Sequence, residues 1–346
     1  MRFWSYLLRR IGLIIPILFG VTILVFVITH IIPGDPAMEI AGMNATDEQI
    51  ERLREEFGLD KPIPMQYWIA LRDMLFEGEF GTSLYTNRPV VEDLAVYWPA
   101  TFELTTFSLL LAIVLGIPLG VVSAWKSNRA ADHTARMGSL AGMSLPPFWL
   151  GLMLQIVLGH WWDIMPVRGR IDTLVSLDYP IQSITGMYLV DSLVTANWPA
   201  FRDSLAHIFV PGFVLALAPL ALISRMTRSG MLEVFREDYI KTARGAGLPD
   251  RTVVYRHALK NALIPTVTVA GSTYGFLLGG SFVVETVFDW PGMGLYGAGA
   301  ILELDFPAII GITIAYALMR VSVNLLVDMS YYFLDPRVKL AGKYEE

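Results

Sequence analysis

Six long apolar runs constrain the fold of this 346-residue chain more than any other feature. The hydrocarbon core of a membrane is about 30 Å thick, and a helix needs about 20 apolar residues to cross it. With 54% hydrophobic and only 17% charged residues, the composition also suits lipid better than water. The sequence therefore predicts an all-α integral membrane protein with six transmembrane helices. Their expected positions are residues 11–32, 102–124, 137–160, 208–226, 262–287 and 306–332.

The distribution of Lys and Arg predicts how these helices are oriented. If the N-terminus is inside, the inner segments carry 17 of the 26 basic residues, the outer segments carry 8, and Arg320 lies within the last span. Because cytoplasmic loops are enriched in Lys and Arg, this split places both termini in the cytoplasm. The first apolar run is too long for a signal peptide and no A-x-A cleavage site follows it, so we expect an uncleaved signal anchor.

The chain divides into four regions on this topology. They are an N-terminal tail with the first transmembrane helix (1–32), an outer, periplasmic segment (33–100), a five-helix core (101–336) with a cytoplasmic loop at 225–260, and a cytoplasmic tail (337–346). In the outer segment Thr46 and Gln49 can form a capping box, and the stretch from Met65 to Leu75 is typical of a helix at the membrane interface. We expect a small helical subdomain there, and the alternative is a solvated spacer.

The loop at 225–260 contains a short helix predicted over Glu237–Ala246, which Gly247 and Pro249 end. A helix of about ten residues is marginal alone in water and needs a surface to lie on. The small side chains of Ala243, Ala246 and Gly247 would let a groove of another protein approach the backbone closely. The alternative is a basic loop held against anionic lipid headgroups.

Polar residues in or near the spans are candidates for function, because isolated charge is costly in hydrocarbon. Arg320 could pair with Glu103 or Glu285, face an aqueous path and meet a carboxylate there, or extend toward the inner surface past Asp328. Glu103 and Glu285 could meet an amino group or simply be exposed at the interface. The five histidines show no metal-ligand spacing, and the sequence has neither cysteine nor a G-x-x-x-x-G-K-[ST] nucleotide motif.

From Glu237 to Pro265 the chain reads EDYIKTARGAGLPDRTVVYRHALKNALIP. This run resembles the EAA loop of binding-protein-dependent ABC importer permeases, whose pattern is EAA, three residues, Gly, nine residues and I-x-L-P. The first acidic residue and the final Pro of the pattern are absent. The corresponding places fall on Lys241, Thr242, Ala243, Gly247, His257, Leu259 and Lys260.

Further segments resemble the dipeptide and oligopeptide permease family over nearly the whole chain. They are LLRRIGLIIPILFGVTILVFVITHIIPGDPA near the N-terminus, GGSFVVETVFDWPGMG around Glu285, and LDPRV at the end of the last span. The stretches PVRGRIDTL and TGMYLVDSL are most similar to dipeptide permease B subunits.

The resemblance implies the type I ABC importer permease fold and a non-catalytic subunit of the bacterial inner membrane. In that family the EAA loop forms a coupling helix that docks into a cleft of a cytoplasmic ATPase. The implied partners are a second homologous permease subunit in a heterodimer, two ABC ATPase subunits that bind ATP and Mg, and a periplasmic substrate-binding protein. The implied ATPase-coupling residues are Glu237, Tyr239, Thr242, Ala243, Arg244, Gly247, Leu248 and His257.

The expected function is half of the translocation pathway for dipeptides or short peptides, with Glu103, Glu285 and Arg320 as possible polar residues of that path. No cofactor and no metal is expected in this chain, and its surroundings are membrane lipid rather than nucleic acid. Alternatives are the same permease role for nickel, glutathione or haem, or an ion-coupled secondary transporter. The latter would show paired broken helices and carboxylates in mid-span, and the sequence shows neither. An intramembrane hydrolase lacks its nucleophile motif.

Overall fold

The computed structural model describes residues 3–31, 45–56, 58, 60–78 and 80–334, and within these ranges it is helical with no β-sheet. Residues 33–44 of the predicted outer segment, Phe57, and the predicted cytoplasmic tail 337–346 lie outside the described part. The helices are α1 Phe3–Ile31, α2 Asp47–Glu56, α3 Ile63–Arg72, α4 Val90–Trp125, α5 Ala130–Ser144, α6 Pro147–Leu154, α7 Thr173–Asp178, α8 Tyr188–Val194, α9 Trp198–Val234, α10 Asp238–Gly245, α11 Asp250–Thr252, α12 Leu259–Val287, α13 Met293–Leu302 and α14 Phe306–Leu334.

Four helical segments in the described residues are long and apolar enough to cross a membrane: α4, α9, residues 250–287 and the first part of α14. A fifth candidate consists of α5 and residues 147–161, that is α6 and the π-helical segment Gln155–Trp161 after it, with a bend of 100° between Ser144 and Pro147. Helix α1 contributes a shorter apolar stretch, Gly12–Ile28. The all-α membrane class is therefore confirmed, whereas the count of six spans stays a prediction.

The bend between α5 and α6 has a local cause in the sequence. Pro146 and Pro147 are consecutive, and Leu145 before them is extended, with φ −82° and ψ 128°. A proline disfavours helical backbone in the residue before it and cannot donate to the helical ladder. The span predicted at 137–160 is thus divided into two helical parts that meet at a sharp angle.

Helix α9 lies at the centre of the bundle and packs against α4 and α12. Glycines allow these helices to approach closely. A Cβ atom added at Gly120 of α4 would lie 2.5 Å from the Ser224 carbonyl oxygen of α9. A Cβ atom added at Gly230 of α9 would lie 2.6 Å from the Ala262 carbonyl oxygen of α12. Close backbone contact is how helices associate where lipid removes the hydrophobic drive between them. The three helices are therefore closely packed at the centre of the bundle, and the loops at both ends start from them.

The segment before α4 is helical, as expected, and part of it packs on α1. The predicted capping box is present, because the Thr46 N–H donates to Gln49 Oε1 at 2.9 Å and the Gln49 N–H to Thr46 Oγ1 at 3.4 Å. In α3 the Tyr67 hydroxyl lies 2.8 Å from Thr22 Oγ1, whereas Trp68 stays 59% exposed. An exposed tryptophan on an amphipathic helix fits a position at the membrane interface.

Candidate functional site

Helix α10 lies at the end of the bundle where α9 stops and α12 starts. One side chain, Ile240, holds it there, and its exposed fraction is 0%. The other residues of α10 are half-buried or exposed. The buried cluster around Ile240 consists of Val121, Ala124, Met231, Val253, Val254, Ala258 and Ala262. The short helix is thus seated on its own chain by a single apolar anchor, and the rest of its surface is available.

Polar contacts fix the orientation of α10 on this base. Asn261 Nδ2 of α12 donates to the Tyr239 hydroxyl at 2.8 Å. The Arg244 guanidinium lies over the Phe235 ring at 5.5 Å from its centroid, and it is 3.9 Å from the Asp250 carboxylate. These exposed contacts are individually weak, but they restrict the rotation of the helix.

The end of α10 is a tight turn that places Leu248 on the surface. The Leu248 N–H donates to the Ala243 carbonyl at 3.3 Å, and the Gly247 N–H donates to that of Arg244 at 3.0 Å. Gly247 has φ +79°, which side-chain-bearing residues adopt at a cost. No atom lies within 4 Å of a Cβ built on Gly247. The positive φ of this turn therefore favours glycine, as expected for a residue that ends a helix. The space above the turn is open.

The structure brings most of the predicted coupling residues to one exposed region, which we call the α10 surface. Its exposed members are Glu237, Tyr239, Thr242, Arg244, Gly247 and Leu248, with Ala243 half-buried beside them. His257 is separate, because it lies half-buried in the π-helical segment Val253–Ala258 that forms part of the base. The predicted surface is thus one patch without His257.

Sequence reasoning missed the ion pair that braces the same end of the bundle. Asp132 is fully buried, and its carboxylate accepts two hydrogen bonds from Arg228 of α9 at 2.8 Å each. It also accepts from the Ser123 hydroxyl at 2.5 Å and the Asn128 N–H at 2.9 Å. One carboxylate therefore ties α4, α5 and α9 together. The only signal in the sequence was a pair of charges 96 residues apart.

Replacing Asp132 by asparagine should weaken this brace by about 3 kcal/mol, because it leaves the Arg228 charge without its anion. Thermal unfolding in detergent, followed with the purified chain, measures the loss. The matched control is Asp238→Asn, which removes an exposed partner of Lys241 and should leave the melting temperature unchanged. Equal melting temperatures for both variants would contradict the bracing role of Asp132.

Glu103, Glu285 and Arg320 do not meet one another, so the suggested pairing of Arg320 with either glutamate is wrong. Glu103 is buried and binds Arg170, with 2.5 Å between Glu103 Oε2 and Arg170 Nη2. Glu285 is also buried, and its Oε2 accepts the Gly294 N–H at 2.6 Å. Neither carboxylate is exposed in this chain. Glu103 is covered by the segment between α6 and α9, and Glu285 is covered by the turn after α12.

The segment between α6 and α9 is held by a buried carboxylate, Asp191. It accepts hydrogen bonds from the Thr185 hydroxyl at 2.6 Å and from the N–H groups of Ile184, Thr185 and Gly186. Burial raises the pKa of Asp191, but these hydrogen bonds outweigh burial and the pKa lies below its ordinary value. The ordered turn presents the Gly186 carbonyl to Arg170 Nη2 at 2.9 Å.

The turn after α12 is equally well ordered. Trp290 is buried, and its Nε1 donates to the Ala100 carbonyl of α4 at 2.9 Å, while the Met293 N–H donates to Thr101 Oγ1 at 2.8 Å. A Cβ atom on Gly292 would lie 2.4 Å from Glu285 Oε2, so the turn packs directly on the carboxylate. Trp290 is therefore a packing residue that holds the turn against α4.

Arg320 is exposed on α14, and Arg320 Nη1 donates to the Gly275 carbonyl of α12 at 2.8 Å. No carboxylate of the described residues pairs with it. Among those residues there is likewise no group of three His, Asp or Glu side chains placed to hold a metal ion. Within the described residues, Arg320 is thus a cation without an anion on a helix that crosses the membrane.

Comparison with known proteins agrees with this architecture. Residues 116–340 match the family described as binding-protein-dependent transport system inner membrane component, and residues 3–105 match the N-terminal family of the same components. A probable D,D-dipeptide transport system permease protein of Escherichia coli K12 is 44% identical over 99% of both chains. A dipeptide transport system permease protein of Alkalihalophilus pseudofirmus is 43% identical over 97% of this chain and 99% of its own.

A glutathione transport system permease protein of Pectobacterium atrosepticum is 35% identical over 97% of this chain and 99% of its own length. These matches extend from α1 to the end of α14, across the α10 surface and its base. The chain therefore belongs to the family of binding-protein-dependent transport system inner membrane components.

Proposed function

We propose that this chain is the transmembrane permease subunit of an ATP-driven ABC importer for dipeptides or short peptides, and that it forms half of the translocation pathway. The substrate class is supported by relatives at 41–44% identity whose names are dipeptide or di/tripeptide permeases. Glutathione, which a relative at 35% identity is named for, is the second candidate cargo. Nickel and haem remain alternatives of the same permease role.

The observation that carries the coupling role is the α10 surface. Helix α10 is only eight residues long, is anchored by Ile240 and exposes most of its remaining residues. A helix this short is not stable alone, and its exposed surface is free to contact another protein, as a docking element needs. In this proposal the groove of an ATPase subunit receives Tyr239, Thr242, Arg244, Gly247 and Leu248, with Glu237 and Ala243 at the margin. His257 supports the base.

The proposed complex contains this chain, a second homologous permease, two ABC ATPase subunits that bind ATP and Mg, and a periplasmic substrate-binding protein. It lies in the bacterial inner membrane, with both termini and the α10 surface in the cytoplasm. In this complex, an ATPase that moves α10 also moves the buried cluster around Ile240. The ion pair of Asp132 and Arg228 joins that end of α9 to α4 and α5, so it passes the movement on to these helices.

The coupling role is tested by two substitutions at Gly247 in the reconstituted complex. Gly247→Trp puts a large side chain above the turn and should abolish substrate-stimulated ATP hydrolysis. Gly247→Ala imposes the same unfavourable φ without bulk, since no atom lies within 4 Å, so it should retain most activity. ATP hydrolysis by Gly247→Trp at the rate of the unsubstituted complex would exclude this docking surface.

The cargo is tested separately by uptake into proteoliposomes. Labelled dipeptides, longer peptides, glutathione and nickel are offered to the complete complex with its binding protein. Dipeptides should be taken up in an ATP-dependent way, and uptake of nickel alone would overturn the peptide assignment while leaving the permease role intact.

A further inference from the structure

Arg320 lies inside the last membrane helix. It is fourteen residues from Phe306 and seven from Val327, the bounds of the apolar part of α14, or about 21 Å and about 10 Å along the axis at 1.5 Å per residue. The carbonyl it binds, that of Gly275, is also far from the ends of α12 Leu259–Val287. While Arg320 Nη1 makes this contact, the guanidinium is directed at α12 and not along α14 toward the inner surface. The interpretation in which Arg320 extends past Asp328 is therefore disfavoured.

The contact with Gly275 uses only part of the hydrogen-bonding capacity of the guanidinium. Arg320 has five N–H donors, of which Nη1 binds the Gly275 carbonyl, and the side chain is exposed. In the part of the chain that the structure describes, no anion neutralises it. An isolated charge is costly in hydrocarbon, so such residues face water or protein in membrane bundles.

A second exposed polar side chain, Asn324, lies beside Arg320 on α14. It is one turn further along the helix, and its amide has no hydrogen-bond partner among the described residues. Leu318 and Leu326, which are 41% and 62% exposed, lie on another side of α14 with the exposed Ser322 between them. Arg320 and Asn324 therefore form a pair of exposed polar side chains next to Gly275 of α12.

Resting on the proposed function, we propose that Arg320 and Asn324 bind the carboxylate group of the transported peptide inside the translocation path. The guanidinium supplies a permanent positive charge and a pair of parallel donors that match a carboxylate, and the Asn324 amide supplies another donor. The Gly275 carbonyl holds the guanidinium in place. Because glycine has no Cβ, there is room beside it for Asn324 Oδ1; a Cβ atom added to Gly275 would lie only 3.1 Å from that oxygen. The site would accept peptides with a free C-terminus and disfavour their amides.

The path position is tested with a cysteine at 324, since the chain contains none. In the complete complex in lipid nanodiscs, Asn324→Cys is treated with anionic sulfonatoethyl and cationic trimethylammonioethyl methanethiosulfonate, and modification of this chain is read by mass spectrometry. We expect labelling by both reagents. Adding Arg320→Gln should lower the anionic-to-cationic rate ratio about tenfold, because the attracting charge is gone. Leu326→Cys, on the side of α14 away from Arg320, is the control and should not react.

Recognition of the carboxylate is tested by protection of the same cysteine. Alanyl-alanine should slow its labelling and alanyl-alanine amide should not. Labelling as slow as that of Leu326→Cys, a rate ratio unchanged by Arg320→Gln, or equal protection by the acid and the amide would each overturn the site. The charge-dependent labelling needs no cargo, whereas the proposed function is judged by uptake in the unsubstituted complex, so the two failures are distinguishable.

Discussion

Replacing Ile240 by aspartate should abolish substrate-stimulated ATP hydrolysis by the assembled complex while the rest of the chain stays folded. Ile240 is the only buried side chain of α10, and its cluster is wholly apolar. A carboxylate there is either buried without a partner, which costs several kcal/mol, or drawn into water together with the helix. Because eight residues do not form a stable helix alone, α10 is then lost from its base.

Limited trypsin digestion measures this release independently of ATP hydrolysis. Cleavage after Lys241 and Arg244 should be much faster in Ile240→Asp than in the unsubstituted complex, because an unfolded segment is the better protease substrate. Ile240→Val is the matched control, since it removes one methyl group and should cost only about 0.5–1.5 kcal/mol. If Ile240→Asp kept normal hydrolysis and normal protease resistance, the apolar anchor would not be what seats α10.

The local features of this end of the molecule could be predicted from the sequence. The helix expected over Glu237–Ala246 is observed over Asp238–Gly245, and Gly247 has the positive φ expected of a helix stop. The capping box of α2 is present for the same reason. Caps, glycine stops and short-range periodicity act over a few residues, so they can be read without knowledge of the fold.

Helix lengths were predicted less well, because an apolar run marks the part of a helix that lies in lipid and not the full length of the helix. The runs at 102–124 and 208–226 lie inside α4 and α9, which have 36 and 37 residues. The extensions contain polar side chains such as Asp93 and Arg228, and these are stabilised by ion pairs instead of lipid. Ion pairs leave no mark in a hydropathy pattern.

The partners of buried charges could not be predicted, because the sequence contains no distance information. Glu103 and Arg170 are 67 residues apart and Asp132 and Arg228 are 96 apart. Each charge viewed alone looked like an exposed loop residue or a candidate for the transport path. Of the three candidates for the transport path, Arg320 alone is exposed and without an anion in the described residues. Its role in the path is therefore still proposed.

The second large effect is expected at the pair of Glu103 and Arg170. Their side chains are 4% and 5% exposed, and the Leu189 N–H also donates to Glu103 Oε1 at 2.6 Å. The guanidinium lies over the Tyr188 ring, 3.7 Å from its centroid. Arg170→Met should lower the free energy of unfolding by about 3–5 kcal/mol, because it leaves a buried carboxylate without compensation. Thermal unfolding of the purified complex measures the loss.

The double variant Glu103→Gln with Arg170→Met distinguishes a lost charge from lost packing. If the cost arises from the uncompensated carboxylate, removing both charges should recover most of the stability lost in Arg170→Met. Arg168→Met, two residues away and exposed, is the control and should behave as the unsubstituted complex. Were the double variant no more stable than Arg170→Met, stacking of the guanidinium on Tyr188 would be its main contribution. The pair would then position the segment from α6 to α9 through shape and not through charge.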